Sequence, residues 1–248
     1  MNLQEFFIEN PKVALAFSGG VDSAYLLYAA KKHGAEVRAY YVKSAFQPQF
    51  ELEDAKRLAK ELGADMRVLQ ADVLGDGLVT ANPADRCYHC KKRIFTEIGK
   101  AVAADGFPVL MDGTNASDDV GDRPGMRALQ ELSVRSPLRE SGLTKDEIRR
   151  LSKEAGLFTW NKPAYACLAT RIPTGEPITA EKLQKTEQAE DYLFSLGLTD
   201  FRVRMFGDAA RLQFTKEQLP KVLEKRTEII KELKKYYDAV LLDLEVRE

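Results

Sequence analysis

The chain has 248 residues, 44% of them hydrophobic, which is enough for one large domain or for a medium-sized domain with a small one. Its 37 basic and 38 acidic residues nearly cancel, and no basic block stands apart, so a nucleic acid partner is disfavoured. No stretch has the roughly 18 apolar residues of a membrane span, and no apolar run of signal-peptide length begins the chain. With three cysteines, which suit a reducing compartment, these features predict a soluble cytoplasmic protein.

The first part of the chain alternates short apolar strands with helices. The predicted strands are Val13 to Phe17, "AEVRAYYV", "MRVLQAD" and "FPVLMDGT". Four helices are predicted between and after these strands. The first follows the glycine pair after the first strand, the second covers "FELEDAKRLAKELGA", and the third begins near the first cysteine. The fourth covers "LTKDEIRRLSKEAGL", where Thr144 and Glu147 have the spacing of a capping box. This alternation is typical of a parallel sheet with helices on both faces, so we predict an α/β domain over residues 1–174.

Residues 175–248 follow a different order of elements. A helix is predicted from about Ala180 to Leu196, followed by two short strands in "FRVRMF" and "ARLQF". A second helix, from about Lys216 to Lys235 and capped by Thr215 with Gln218, leads into a final strand in "AVLLDLE". The order predicts a small α+β domain with a partly antiparallel sheet.

A six-residue segment, "SGGVDS", joins the first predicted strand to the first predicted helix. Its members are Ser18, Gly19, Gly20, Val21, Asp22 and Ser23. At such a junction the helix dipole and backbone N–H groups attract an anion, glycines let the backbone approach phosphate oxygens, and serine hydroxyls donate to them. Asp22 fits an anion site if Mg²⁺ bridges its carboxylate to the phosphates. The alternative is an ordinary glycine turn capped by a serine.

This segment resembles the loop of the PP-loop ATP pyrophosphatases, which split ATP into AMP and pyrophosphate while adenylating an acceptor. The resemblance implies a Rossmann-like adenine nucleotide hydrolase fold that binds ATP. It also implies that "DGTNASD", residues 112–118, lies beside the nucleotide at the carboxyl end of a strand. Gly113 and Thr114 are then candidate ATP contacts, and the alternative for both is an ordinary turn with a cap.

Three further stretches, "NPADRCYHCKKRIF", "RPGMRALQELSVRSPL" and "KPAYACLATRIPTG", are similar to the LarE family of ATP-dependent sulfur transferases. That family helps to make the nickel-pincer nucleotide cofactor. The resemblance implies a small-molecule nucleotide substrate, a pyridinium dicarboxylic acid mononucleotide, whose carboxylate is adenylated and then converted to a thiocarboxylate. It also implies a homo-oligomer.

The chemistry needs a sulfur nucleophile, and Cys167 is the candidate. A carboxylate becomes a good acyl donor once AMP is its leaving group, and sulfur on or carried by Cys167 then displaces AMP. Arg171, four residues on, is a candidate to lower the pKa of the Cys167 thiol or to bind a phosphate. The alternative is that Cys167 is a small buried hydrophobic residue.

The family uses sulfur in two ways, and the resemblance leaves both open. A single cysteine can sacrifice its sulfur, or three cysteines can hold a [4Fe–4S] cluster with one iron open to an exogenous sulfide. Cys87, Cys90 and Cys167 match the three-cysteine pattern, so the cluster is our first hypothesis and sacrificial or persulfide chemistry at Cys167 the second. A redox pair or a structural role for the CxxC segment is a further alternative.

Charged residues of the second predicted domain are candidates for the substrate side. They are Arg204, Arg211, Glu187 and Glu190, with Arg202 beside them. Arginines bind phosphates through bidentate hydrogen bonds, but strand alternation also permits a solvated face for Arg202 and Arg204, and the two glutamates can be surface charges.

Three other functions use parts of the same pattern. A tRNA-thiolating enzyme shares the ATP chemistry but needs RNA binding that weakens steeply with salt. An amide-forming ligase does not need Cys167. A nucleotide-sensing module binds ATP without releasing AMP.

Overall fold

The computed structural model describes residues 2–118 and 124–247. Its strands are β1 (Lys12–Ala16), β2 (Glu36–Lys43), β3 (Asp65–Gln70), β4 (Val109–Met111), β5 (Arg202–Phe206), β6 (Ala209–Gln213) and β7 (Ala239–Leu242). Its α-helices are α1 (Leu3–Glu9), α2 (Val21–Lys32), α3 (Gln49–Glu61), α4 (Gly77–Thr80), α5 (Arg86–Ala104), α6 (Pro124–Glu131), α7 (Pro137–Glu140), α8 (Lys145–Glu154), α9 (Ala180–Ser195), α10 (Leu219–Glu224) and α11 (Arg226–Leu233). Arg123, which begins one of the LarE-like stretches, lies outside the described residues.

The chain forms two compact units. The first comprises Met1–Val73 and Asp85–Lys162, and the second comprises Leu74–Ala84 and Pro163–Glu248. Within the described residues, no helix combines the length and the apolar character that crossing a membrane requires.

The first unit contains a four-stranded parallel sheet in the order β3-β2-β1-β4. Val13 and Leu15 of β1 are buried in one hydrophobic cluster, whereas Ala14 and Tyr40 belong to another. Successive residues of a strand point to opposite faces, so both faces of this sheet are covered by apolar side chains. The predicted α/β fold class is confirmed, and β1 lies inside the sheet between β2 and β4.

The second unit contains the smaller sheet, in the order β5-β6-β7. β5 and β6 are antiparallel, with Val203 opposite Leu212, whereas β6 and β7 are parallel, with Ala210 opposite Val240. Helix α9 matches the predicted helix within a residue at its C-terminal end. The predicted small α+β fold is therefore confirmed as well.

The single helix predicted from Lys216 to Lys235 is wrong. The segment begins with a 3₁₀ turn at Lys216–Gln218, and α10 and α11 are separated at Lys225. Pro220 lies in the first turn of α10, where its missing N–H costs no helical hydrogen bond, and so favours a new helix start there.

The capping box predicted for Thr215 and Gln218 is also wrong. Thr215 makes no side-chain capping bond. The Gln218 amide instead hydrogen-bonds the backbone of Thr199, with its Oε1 accepting from the Thr199 N–H at 2.7 Å. The Gln218 side chain, which the local sequence pattern assigns to the helix cap, thus makes a tertiary contact instead.

Helix α1 was not predicted, although a capping box marks its start. The Asn2 side chain accepts from the Glu5 N–H at 2.9 Å, and the Glu5 carboxylate accepts from the Asn2 N–H at 2.8 Å. The Asn-x-x-Glu spacing in the sequence was a sufficient signal for this helix start.

We expect Thr144→Ala to lower the free energy of unfolding by about 1 kcal/mol, because loss of an N-cap hydroxyl typically costs this much. The Thr144 hydroxyl accepts from the Glu147 N–H at 3.4 Å, and the Glu147 carboxylate accepts from the Thr144 N–H at 2.9 Å, at the start of α8. Urea denaturation measures the change. Thr215→Ala is the matched control and should change stability by less than about 0.5 kcal/mol; equal losses in the two variants would contradict the assignment of the caps.

Candidate functional site

The "SGGVDS" segment connects the end of β1 to the start of α2. Gly19 has a φ of 73°, which is the left-handed conformation that favours glycine. Gly20 is the N-cap of α2 and, as a glycine, offers no side-chain acceptor to the first turn. The Oγ atoms of Ser18 and Ser23 lie 3.1 Å apart. The first-turn N–H groups and two hydroxyls thus lie together at a helix N-terminus, as an anion-binding site requires.

The loop is packed tightly against two other segments. A Cβ placed on Gly19 would lie 3.1 Å from the Cβ of Ala55 in α3, and a Cβ placed on Gly113 would lie 2.9 Å from the backbone N of Ser23. Gly113 follows β4, the neighbour of β1 in the sheet. The two loops therefore meet at the carboxyl ends of adjacent parallel strands, where open α/β sheets bind ligands.

The segment after β4 is held in place by the Asp112 carboxylate. Asp112 accepts from the Thr114 hydroxyl at 2.6 Å, from the Thr114 N–H at 3.2 Å and from the Ser136 hydroxyl at 2.7 Å. The hydrogen bonds from Thr114 to Asp112 are those expected if Gly113 and Thr114 form an ordinary turn with a cap. Contact of Gly113 and Thr114 with ATP stays a prediction.

Two donors that the sequence analysis did not single out bracket the Asp22 carboxylate. The Lys145 ammonium lies 2.6 Å from Asp22 Oδ2, and the Asn115 side-chain amide donates to Asp22 Oδ1 at 3.3 Å. Asn115 lies inside a segment already assigned to the site, whereas the pairing with Lys145 spans 123 residues, and no local pattern marks it.

Asp22 fits a Mg²⁺ site of the kind formed together with a nucleotide. Mg²⁺ is usually held by one or two carboxylates, waters and substrate phosphates rather than by an all-protein cage. Asp22 lies within the "SGGVDS" loop and keeps 22% side-chain exposure. A single carboxylate beside a phosphate site meets that requirement, and its role as a magnesium ligand stays a prediction.

Cys87 and Cys90 lie in the first turns of α5, in the first unit. Three-residue spacing places them on one face of the helix; Cys87 is exposed and Cys90 is partly buried. The Arg86 guanidinium donates to Cys87 Sγ at 3.7 Å, and His89 Nε2 lies 3.3 Å from Asp85. One basic side chain, that of Arg86, therefore contacts the Cys87 sulfur.

Cys167 lies in the second unit and precedes a 3₁₀ turn formed by Leu168–Arg171. Its carbonyl accepts from the N–H and the hydroxyl of Thr170, at 3.0 and 2.8 Å. Cys167 is half-buried, and the choice between a nucleophile and a small buried hydrophobic residue stays open.

Within residues 2–118 and 124–247, no three His, Cys, Asp or Glu side chains are grouped to hold a metal ion. A cluster ligated by Cys87, Cys90 and Cys167 requires such a group. Cys87 and Cys90 belong to the first unit and Cys167 to the second, and ligation of a [4Fe–4S] cluster by the three cysteines stays a hypothesis.

Arg171 and Glu190 form a buried ion pair in the second unit. Their side chains are 0% and 1% exposed, and Arg171 Nε lies 2.8 Å from Glu190 Oε1. The same carboxylate accepts from the Val203 N–H at 2.9 Å and from the Tyr165 hydroxyl. Glu190 is thus a connection between α9, β5 and the Cys167 loop, and its interpretation as a surface charge is wrong.

Arg171 NH2 also donates to Glu190, at 3.1 Å to Oε2, whereas its NH1 donates within the Cys167 loop. Its NH1 donates to the Ala166 carbonyl at 3.0 Å and to the Thr170 hydroxyl at 2.8 Å. The contacts observed for Arg171 are those of a residue that shapes this loop, and phosphate binding by Arg171 stays a prediction. Glu187 is half-buried one helical turn before Glu190.

Arg202 is 5% exposed, so its interpretation as part of a solvated strand face is wrong. Its NH1 donates to the Phe201 carbonyl at 2.6 Å, and its NH2 donates to the Ala164 carbonyl. Burial, with repulsion from Arg171, lowers the pKa of Arg202 to about 10. The guanidinium is still charged at neutral pH.

Arg204 and Arg211 lie opposite each other on β5 and β6. Arg204 donates to Gln213 Oε1 at 2.6 Å, Gln213 donates to Asp243 at 2.8 Å, and Arg211 Nε lies 3.5 Å from the same Asp243 carboxylate. Burial, followed by the charges of neighbouring arginines, lowers the pKa of Arg204. Two guanidiniums thus share one face of the small sheet, and the Asp243 carboxylate offsets only part of their positive charge. Such an arrangement is suitable for binding an anion.

Comparison with known proteins agrees with this geometry. A family model described as "Queuosine biosynthesis protein QueC" matches residues 12–93. The chain is 38% identical over 226 residues to an uncharacterized protein of Synechocystis sp., covering 90% of this chain and 84% of that protein. It is 34% identical over 210 residues to pyridinium-3,5-bisthiocarboxylic acid mononucleotide synthase of Lactiplantibacillus plantarum, covering 84% of this chain and 76% of the synthase. It is 27% identical over 196 residues to the tRNA-specific 2-thiouridylase MnmA of Thermotoga sp., covering 61% of this chain and 54% of that enzyme.

The parallel sheet and the "SGGVDS" loop at its carboxyl edge, residues 18–23 and from here on the phosphate loop, define a PP-loop ATP pyrophosphatase, an ATP-binding enzyme. Within that class, the identity to the Lactiplantibacillus plantarum synthase along most of both chains shows that this chain belongs to the LarE family. It is an ATP-dependent sulfurtransferase.

We expect Gly113→Ala to impair ATP binding and to lower the free energy of unfolding by about 1–3 kcal/mol, the usual cost of overpacking a tight site. The added methyl group would meet the backbone of Ser23 at 2.9 Å, so the two loops must separate. Isothermal titration with ATP and urea denaturation measure the two effects.

Gly99→Ala is the matched control, because Gly99 lies inside α5 with no atom within 4 Å of the added Cβ. It should leave ATP binding unchanged and stabilise the protein by up to about 1 kcal/mol. Unchanged ATP affinity in Gly113→Ala would show that the two loops need not touch.

We expect Glu190→Gln to lower the free energy of unfolding by about 3–5 kcal/mol, because it leaves the buried Arg171 charge uncompensated. Glu187→Gln, three residues away on the same helix and half-buried, should cost less than about 1 kcal/mol. Urea denaturation of both variants tests the difference, and a loss below 1 kcal/mol in Glu190→Gln would contradict a structural role for the pair.

Proposed function

We propose that the chain converts a carboxylate of a pyridinium dicarboxylic acid mononucleotide to a thiocarboxylate, at the expense of ATP. The identity to the Lactiplantibacillus plantarum synthase is the observation that carries the choice of substrate. The phosphate loop at the carboxyl edge of the sheet supports the ATP-dependent half of the reaction.

The proposed reaction has two steps with a shared acyl adenylate. A carboxylate oxygen attacks the α-phosphorus of ATP, the bond from that phosphorus to the bridging oxygen breaks, and pyrophosphate leaves. A sulfur nucleophile then attacks the acyl carbon, and AMP leaves with the electron pair of the C–O bond. Adenylation is needed because a carboxylate oxygen is otherwise a poor leaving group.

In this proposal the phosphate loop binds the pyrophosphate part of ATP, with Mg²⁺ held by Asp22. Mg²⁺ supplies charge that offsets the negative charge of the phosphates. Ser18 and Ser23 donate hydroxyl hydrogen bonds, and the first-turn N–H groups of α2 bind phosphate oxygens. Gly113 and Thr114 position the loop against the nucleotide.

Cys167 is the residue through which we propose that sulfur is delivered. Its partial exposure supports reactivity, since a nucleophilic thiol must reach the acyl carbon. If Cys167 is sacrificial, its Cβ–Sγ bond breaks, its Cα proton is lost to a base, and dehydroalanine remains. The count of three cysteines supports the alternative source, a sulfide on a [4Fe–4S] cluster with Cys87 and Cys90.

We propose that ATP binds in the domain predicted over residues 1–174 and that the substrate binds in the domain predicted over residues 175–248. The compact unit that contains the second of these begins at Pro163 and also includes Leu74–Ala84. We assign phosphate binding of the substrate to Arg204 and Arg211, because both guanidiniums lie on one partly exposed sheet face. Arg171, Glu187 and Glu190 contribute to this side through the loop that carries Cys167. We also propose that the protein is a homo-oligomer and that it is located in the cytoplasm, where thiols remain reduced.

A tRNA-thiolating activity is the second candidate, favoured by the identity to MnmA over part of the chain. It requires RNA binding whose affinity falls steeply with salt. The near-zero net charge, −1, weighs against it. Filter binding of tRNA at low and high salt distinguishes the two substrates.

We expect Cys167→Ala to abolish thiocarboxylate formation while pyrophosphate release with the carboxylate substrate persists, because adenylation precedes sulfur transfer.

Anaerobically purified wild-type protein should contain iron and sulfide if the cluster delivers sulfur, and Cys87→Ala should then also abolish transfer. Protein without iron, dehydroalanine at position 167 after one turnover, and an active Cys87→Ala variant would instead support the sacrificial route. Full thiocarboxylate formation by Cys167→Ala would overturn the role of Cys167, and ammonia-dependent amide formation would support a ligase.

A further inference from the structure

Asn82 is a buried polar residue of the second unit to which the proposed reaction assigns no role. It is 1% exposed, and it lies in Leu74–Ala84, the part of that unit that is separate in sequence from the rest. Its φ of 55° is in the left-handed region, which asparagine adopts more readily than most residues. A buried amide in this uncommon backbone conformation needs specific hydrogen-bond partners.

The side-chain amide of Asn82 donates to three backbone carbonyls of one segment. Its Nδ2 lies 2.7 Å from the Pro173 oxygen, 3.1 Å from the Glu176 oxygen and 3.4 Å from the Ile172 oxygen. A carbonyl oxygen can only accept, and the nitrogen is the donor end of an asparagine side chain. The side chain therefore gathers residues 172–176 around one atom.

Two backbone hydrogen bonds add to this contact. The Gly175 N–H donates to the Asn82 carbonyl at 2.8 Å, and the Ile178 N–H donates to the Thr80 carbonyl at 2.8 Å. The two segments, residues 80–82 and residues 172–178, are thus held together by main-chain and side-chain bonds within the second unit.

The segment that Asn82 holds continues directly from the loop that carries Cys167. The 3₁₀ turn Leu168–Arg171 separates Cys167 from Ile172, and Arg171 is fixed by its ion pair with Glu190. Asn82 is therefore a second anchor, placed immediately after that ion pair. Fixing the chain on this side reduces the number of conformations that the loop can adopt.

We propose that Asn82 is a positioning residue for sulfur transfer, and that it holds the Cys167 loop so that sulfur on or carried by Cys167 reaches the acyl carbon of the adenylate. This inference rests on the proposed function, because Asn82 acts through Cys167. Displacement of a reacting group by about 1 Å can slow a reaction about 100-fold. The bonds from Asn82 to the segment after Cys167 limit such displacement.

The variant Asn82→Gly tests this role, because glycine keeps the left-handed backbone conformation and removes the side-chain bonds. The assay is a single turnover at saturating ATP and carboxylate substrate, in which both thiocarboxylate and pyrophosphate are measured. We expect thiocarboxylate formation to fall about 10- to 100-fold while pyrophosphate release stays within about twofold of wild type, because misplacement of the sulfur affects only the second step. A merely structural role would lower both products in proportion to the folded protein and leave their ratio unchanged.

Hydrogen exchange of the segment tests the anchor without any activity. We expect the amides of residues 172–178 to exchange about 10-fold faster or more in Asn82→Gly than in wild type, because local opening becomes easier. Mass spectrometry of the corresponding peptide measures the rate. Unchanged exchange would overturn the proposed anchor.

Thr80→Val is the matched control. Thr80 is half-buried two residues before Asn82, and its hydroxyl donates to the Asp76 carbonyl at 3.1 Å, within the same short segment. Valine removes this hydroxyl and leaves the backbone bond to Ile178 in place. The product ratio and the exchange rate of residues 172–178 should both match those of wild type.

The outcomes separate this role from the proposed function. An unchanged product ratio in Asn82→Gly, together with an inactive Cys167→Ala variant, would overturn the role of Asn82 alone. Full thiocarboxylate formation by Cys167→Ala would overturn the proposed function and the role of Asn82 with it. Should Asn82→Gly fail to fold, exchange of the Gly175 and Ile178 amides in the wild-type protein decides: protection of about 100-fold or more supports the anchor, and exchange at the rate of an unstructured peptide overturns it.

Discussion

The parallel pairing of β1 with β2 on one side and β4 on the other is the constraint on which the nucleotide site depends. It brings the ends of β1 and β4 to the same edge of the sheet, where the "SGGVDS" loop and the Asp112–Asp118 segment meet. Gly113 then approaches the backbone of Ser23 so closely that no side chain fits between them. The sheet thus brings two turns that are about 90 residues apart in sequence together at one edge.

Charge at this edge is arranged around Asp22. A carboxylate in a phosphate loop is unfavourable by itself, and the fold offsets it with the Lys145 ammonium and the Asn115 amide. Both partners come from segments that the sheet positions, one after β4 and one at the start of α8. The site therefore has an internal counter-charge before any ligand binds, in keeping with preorganised electrostatics.

The second unit uses charge differently, because its central ion pair is buried. Arg171 and Glu190 tie the Cys167 loop to α9 and β5 through hydrogen bonds that solvent does not reach. The value of such a pair lies in the geometry it imposes rather than in net stability, since desolvation offsets most of the attraction. Its consequence is that hydrogen bonds attach the loop carrying the candidate nucleophile to α9.

Local sequence determined the fold class, most of the elements and the phosphate loop, because strand hydrophobicity, capping boxes and glycine turns act over a few residues. Asp22, Ser18 and Ser23 were identifiable for this reason, whereas Lys145 was not, since it is 123 residues away from Asp22 in the sequence. The same limit explains the wrong capping box at Thr215, because the Gln218 side chain binds the backbone of Thr199 instead. It also explains Arg202 and Glu190, which look like surface charges on their own elements. Only the tertiary structure decided which charges are buried and paired, because burial depends on what packs against a residue from elsewhere in the chain.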